Sequence, residues 1–114
     1  MRPEDFDIIA TGDLGYEGYN LLKDLLDREG IVLGDNYTDC GLLIYNRERQ
    51  DMHAGGSGCG CSGVVTSGYF MSLFKQKKIK DMLIISTGAL LSSTSTMQGL
   101  TIPGVAHLVR LTRI

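Results

Sequence analysis

Apolar positions along the chain alternate between two habits, short continuous runs and helical spacing. Residues 6–11 (Phe-Asp-Ile-Ile-Ala-Thr) read as a short buried strand, and Gly12-Asp13 turns the chain after it. From Leu14 onward, Leu14, Leu21, Leu22, Leu25 and Leu26 recur at the spacing of a helix face. Asp13 stands where an N-cap belongs and Gly30 where a helix ends in a left-handed residue. Gly15 and Gly18 weaken the first turn, which points to close packing or a ragged start. Gly34-Asp35-Asn36 is a turn cluster, and residues 39–45, with Leu42-Leu43-Ile44-Tyr45, read as a second strand. Residues 62–78 read as a helix apolar nearly all round, with Val64, Val65, Phe70, Met71, Leu73 and Phe74, and so buried on more than one side. Residues 82–86 form the clearest strand, and residues 105–112 the last. Between them, residues 88–104 make a long loop rich in Ser and Thr.

The predicted order is β-α-β-α-β-loop-β, an α/β layered sheet. Helical crossovers make the first three strands parallel, while the last follows a loop and can run antiparallel. No internal repeat or linker composition divides the 114 residues, so a single domain with a modest core is expected.

Charge narrows the partners. The formal net charge is −2, which gives nucleic acid no electrostatic footing. The one basic cluster, Lys75, Lys77, Lys78 and Lys80, reads as the cationic end of a helix. No apolar run reaches the ~18 residues of a membrane span, and the N-terminal residues lack the apolar core of an export signal. Three cysteines, Cys40, Cys59 and Cys61, then fit a reducing intracellular compartment, with Cys59 and Cys61 too close for a relaxed mutual disulfide.

Candidate chemistry concentrates in His53-Ala54-Gly55-Gly56-Ser57-Gly58-Cys59-Gly60-Cys61-Ser62. Glycine at this density implies positive φ, a helix entering very close to a sheet, or backbone N–H groups aimed at a ligand. The formal G-x-G-x-x-G match from Gly58 to Gly63 does not directly follow a strand, and no acidic residue ends the next one, so a dinucleotide site is not supported. The C-x-C spacing is not that of structural zinc sites, so no metal or cofactor is expected. A reactive thiol at Cys59 or Cys61 would need a base, with His53 the one nearby in sequence; His107 lies mid-strand and reads as packed. Asp13, following the first strand, sits where α/β sheets bind ligands, with N-capping as its plainer role.

Several segments together carry a resemblance: Thr11-Gly12-Asp13-Leu14-Gly15, the run from Asn36 to Ile44, the glycine run, Thr87-Gly88-Ala89-Leu90, and Ile102-Pro103-Gly104-Val105-Ala106-His107. They closely resemble the stage V sporulation protein AD family, itself thiolase-like in fold. The resemblance spans nearly the whole chain but about the C-terminal third of that family's usual length. It implies residues 1–114 as the incomplete C-terminal half of a thiolase-like fold: a mixed four-stranded sheet, helices on both faces, last strand antiparallel. Condensing enzymes of that superfamily carry a histidine and an asparagine at the positions of Gly12 and Ser57. Neither residue here serves as base or oxyanion donor as required, and the nucleophilic cysteine belongs to the absent half, so the resemblance implies a non-catalytic protein.

The resemblance implies binding of dipicolinic acid, or a similar small dicarboxylate, and its uptake into the developing spore. Asp13, Gly55, Gly56, Ser57, Gly58, Cys59, Thr87 and Ser95 are the candidate ligand contacts. It further implies other sporulation channel proteins as partners, assembly as a homo-oligomer or with the missing N-terminal half, and a place inside the developing spore, peripheral to its inner membrane. The rivals are an acyl-transfer enzyme working through Cys59 or Cys61 and a purely structural interaction module.

Overall fold

Alternation along a short central strand sorts the core into two layers. In the computed structural model, which describes residues 1–89, 97–99, 101 and 104–114, β1 spans Ile8–Thr11. Ile9 points to a cluster with Phe6, Leu33 and Tyr37, and Ala10 to a second cluster on the opposite face. The helix α1 (Gly15–Arg28) covers the first face through Tyr19, Leu22 and Leu26. Its outward residues Leu21 and Leu25 are exposed. Tyr19 stacks on Tyr37 at 4.4 Å between ring centroids. Gly30 closes α1 as its position predicts: φ is +83°, its N–H donates to Asp27 O, and Ile31 N–H donates to Leu26 O.

The second strand departs from expectation. β2 is only Tyr37–Asp39, and the apolar run after it folds as a helical turn, α2 (Cys40–Leu43). Helical spacing places Cys40 and Ile44 together against the second core cluster, while Leu43 and Tyr45 turn to solvent. Gly41 fixes this choice, because its backbone abuts the glycine run: a Cβ there would stand 2.5 Å from Gly56 O and 2.8 Å from Asp39 Oδ2.

The next helical rod comprises α3 (Cys61–Val65), a wide π turn (Thr66–Phe70) and α4 (Met71–Lys75). Val65 and Phe70 are both buried in the second cluster. Residues five apart on a regular α-helix point about 140° away from each other; the π turn brings these two to the same side. Burial on two sides is not realised: Val64 is 61% exposed and Tyr69 49%. Among the described residues the rod has one covered face.

β3 (Asp81–Ala89) sends Met82 and Ile84 to the second cluster and Leu83 and Ile85 to the first. The sheet order is β2-β1-β3-β4, with β1 parallel to β2 and β3, and β4 (Gly104–Thr112) antiparallel to β3. This mixed four-stranded α/β sheet, helices on both faces, is the architecture expected of a thiolase-like half. The predicted strands 82–86 and 105–112 are lengthened at their ends, which moves the loop boundary to Ala89 and Gly104. β4 is an edge strand with little cover. His107, expected to be packed, is exposed opposite Ser86, and Val105, Leu108 and Val109 are exposed with it.

Candidate functional site

Two carboxylates organise the carboxyl end of the parallel strands. The deeper one belongs to Asp39, the last residue of β2, and it is fully buried. Thr11 Oγ1 donates to its Oδ1 at 2.6 Å, Leu14 N–H to Oδ1 at 2.9 Å and Gly15 N–H to Oδ2 at 3.0 Å. Asp39 thus caps α1 from a neighbouring strand and places a negative charge at the positive end of the helix. Asp13 does not cap α1, contrary to expectation; the helix begins at Gly15 without a side-chain cap of its own. Gly15 adopts φ +73° and sits against the backbone of Ala54, whose carbonyl accepts from Tyr16 N–H. This close packing explains the glycine in the first turn.

Asp13 instead faces the glycine run. Thr87 Oγ1 donates to Asp13 Oδ1 at 3.0 Å, and Asp13 N–H donates back to Thr87 Oγ1 at 3.2 Å. Gly58 N–H donates to Asp13 Oδ2 at 3.0 Å and Ser57 Oγ donates to the same oxygen at 3.3 Å. Two elements distant in sequence, β3 and the loop before α3, therefore converge on one carboxylate in the turn after β1. Gly12 lies beneath them, and a Cβ there would stand 3.1 Å from both Thr87 N and Oγ1. A side chain as large as histidine has no room there unless Thr87 moves.

Of the uses expected of the glycine run, positive φ occurs in it. Gly55 and Gly58 have positive φ, +105° and +106°. Gly55 and Gly56 leave no space for a side chain, abutting Gly41 O and Ile44 respectively. Gly58 turns its N–H onto Asp13. The N–H groups of Gly55 and Gly56 are already spent on Met52 O and Gly41 O, so these two shape the loop and offer no donor.

Of the eight candidate contacts, Asp13, Ser57, Gly58 and Thr87 are brought together. Gly55 and Gly56 lie behind them as packing, Cys59 is exposed beside them in the chain, and Ser95 lies outside the described residues. Asp39 and Thr11 were not foreseen. Their partners lie 24 to 28 residues away in sequence, a separation no local pattern reports.

Two of the three thiols, Cys40 and Cys61, are buried and disfavoured as thiolates. Cys40 is fully buried, and burial first, then the charge of Asp39, pushes it up to about 12. Burial, with Asp13 and Asp39 adding to it, also raises Cys61. His53 pairs with Asp51 at the surface, Nε2 to Oδ1 at 3.4 Å. All three cysteines are free, and among the described residues no cluster of His, Cys, Asp and Glu is arranged to hold a metal.

These features have relatives. The model of the family described as Stage V sporulation protein AD (SpoVAD) matches residues 1–112. This chain belongs to that family. The Stage V sporulation protein AD of Bacillus subtilis (strain 168) is 44% identical over 104 residues, covering 91% of this chain and 30% of the relative. The chain thus spans less than a third of that relative's length. Among the described residues of this family member, no helix is long and apolar enough to cross a membrane.

Proposed function

We propose that this chain forms one wall of a non-catalytic pocket for dipicolinic acid or a similar small dicarboxylate. In this reading it is the C-terminal part of a thiolase-like fold that acts in filling the developing spore with that ligand. The observation that carries the reading is the convergence of Ser57 Oγ, Thr87 Oγ1 and Gly58 N–H on a single carboxylate. Donors held in place by two separate elements, the loop before α3 and β3, form a pre-organised carboxylate receptor. In the ligand-free chain Asp13 satisfies them; an incoming carboxylate has the same shape and charge and competes for the same donors.

A non-catalytic role is supported by the same geometry. The position where condensing enzymes carry histidine is Gly12, tight against Thr87. The position where they carry asparagine is Ser57, whose hydroxyl is engaged by Asp13. Of the two thiols the acyl-transfer rival would use, Cys59 and Cys61, the burial that raises Cys61 argues against transfer through that one. The exposed apolar residues Val64 and Tyr69 of the α3–α4 rod support a partner there, either the rest of a full-length protein or a second copy. Other sporulation channel proteins, and a position peripheral to the inner spore membrane, belong to the same proposal.

Calorimetry with dipicolinate tests it, using the 114-residue chain and a full-length family member. Saturable heat with the full-length protein, lost when Ser57→Ala and Thr87→Val are combined, is the expected result. Heat indifferent to those substitutions would move the site elsewhere. No heat with either protein would leave a structural module.

A further inference from the structure

The other end of the sheet carries a surface of different character. β1 and β3 run parallel, so the residues that enter β3 lie at the end opposite Asp13. There a groove of about 400 Å³ runs between α4 and the end of β4. Met71, Phe74 and Leu111 line it with apolar surface, and Lys75 and Arg113 flank it.

Three observations bear on what this groove takes. The first is charge. Lys75, Lys77, Lys78 and Lys80 fall within six residues, in a chain whose net charge is −2. The ion pairs among the described residues are His53–Asp51 and Arg110–Asp81, so neither these lysines nor Arg113 has a carboxylate partner there. Two acids at this end, Asp7 and Asp81, are already engaged. Asp7 accepts from the N–H groups of Lys80 and Asp81, and Asp81 accepts from Arg110 and Thr112.

The second is an unmet donor. Arg113 Nε is buried and has no hydrogen-bond partner among the described residues. A buried donor without an acceptor is costly, and an oxygen arriving in the groove would supply one.

The third is backbone strain. Lys77 closes α4 at φ +58°, with its N–H on Phe74 O and that of Lys78 on Leu73 O. Glycine ordinarily fills this left-handed position, because a side chain there is disfavoured. The helix dipole favours cations near a C-terminus but does not require one at this residue.

We propose that the groove docks an acidic peptide segment of a partner protein. One apolar side chain seats on Met71, Phe74 and Leu111, and flanking carboxylates meet Lys75, Lys77 and Arg113. Charge and size select the occupant: one small apolar seat beside Lys75 and Arg113, with further lysines next to it in the chain, suits a short acidic segment carrying a single apolar side chain. The proposal is independent of the Asp13 site.

Fluorescence anisotropy with a labelled Glu-Glu-Phe-Glu-Glu peptide and the 114-residue chain tests it. Saturable, salt-sensitive binding is expected, weakened about tenfold by combining Lys75→Ala with Arg113→Gln, the loss of two partly exposed charge contacts. Replacing the peptide's Phe by Gly should weaken binding further. Lys77→Gly should raise the thermal midpoint while lowering affinity, a pairing that a merely structural lysine would not give. Three results would each overturn the proposal: no binding, equal binding of a Lys-Lys-Phe-Lys-Lys peptide, or binding to phosphatidylglycerol vesicles in place of the acidic peptide.

Discussion

Replacing Asp39 by alanine should be the most damaging single change of a polar residue in this chain. The carboxylate is fully buried and accepts from Thr11 Oγ1, Leu14 N–H and Gly15 N–H. Hydrogen bonds to a charged acceptor contribute about 1.5–3 kcal/mol each. Part of that sum is returned, because the carboxylate no longer has to be held away from water. Breaking buried charged networks costs about 3–5 kcal/mol in comparable cases, and that is the expected loss. A chain of 114 residues has about 6–17 kcal/mol of stability in total. The thermal midpoint should then fall by about 12–20 °C, at about 4 °C per kcal/mol for this size. Asp39→Asn keeps the shape and one acceptor oxygen but turns an amide donor toward a backbone donor, so it should lose about half as much. Urea unfolding followed by circular dichroism measures both, and a cycle with Thr11→Val isolates the side-chain pair, with a coupling of about 0.5–3 kcal/mol. A loss below about 1 kcal/mol for Asp39→Ala, well under the range for buried networks, would refute the assignment of Asp39 as the cap of α1 and the organiser of the site.

Other perturbations have equally definite expectations. Gly41→Ala drives a Cβ to 2.5 Å from Gly56 O, backbone that cannot rotate away, so a loss of at least about 1–3 kcal/mol is expected in the same unfolding assay. Cys40 keeps its proton up to about 12 in the folded chain but loses it near its ordinary value of 9.0 when unfolded. Stability is therefore fully present below pH 9 and falls between pH 9 and about 12, by up to about 1.4 kcal/mol per pH unit for this one group. Cys40→Ala should flatten that alkaline limb in a pH series of unfolding curves. At the acid end, Arg110 and then Thr112 hold the Asp81 carboxyl below its ordinary 3.8. That contribution is present above pH 3.8 and lost as the pH falls below it, and Arg110→Gln should shift the Asp81 titration upward by NMR.

How much of this was legible in the sequence depends on range. β1 and β3 announce themselves as continuous apolar runs, α1 through its helical spacing, and Gly30 through its place at a helix end. β2 did not, because three residues are too few to show alternation and the more apolar Leu42–Tyr45 run beside it drew the assignment. The π turn escaped notice because a 3.6-residue pattern cannot register one inserted residue. His107 was expected to be packed because its strand is apolar, yet an edge strand can leave apolar residues uncovered.

The site divides in the same way. Composition marked the glycine run, position marked Asp13, and the family resemblance brought in Thr87. That Asp13 would occupy the donors offered by Ser57, Gly58 and Thr87, and that Asp39 would take over the capping of α1, followed only from contacts between residues far apart in sequence.

The occupied receptor leads to the measurement closest to the central claim. If the ligand's carboxylate replaces that of Asp13, the displaced charge stays nearby and opposes binding. At about 4 Å a like charge costs about 1–2 kcal/mol in a well-solvated site, which is about 5- to 30-fold in affinity. Asparagine keeps an acceptor oxygen and removes the charge. Titration calorimetry of dipicolinate into a full-length family member should therefore show Asp13→Asn binding about 5- to 30-fold more tightly than the parent. Equal or weaker binding by a folded Asp13→Asn variant would contradict the account.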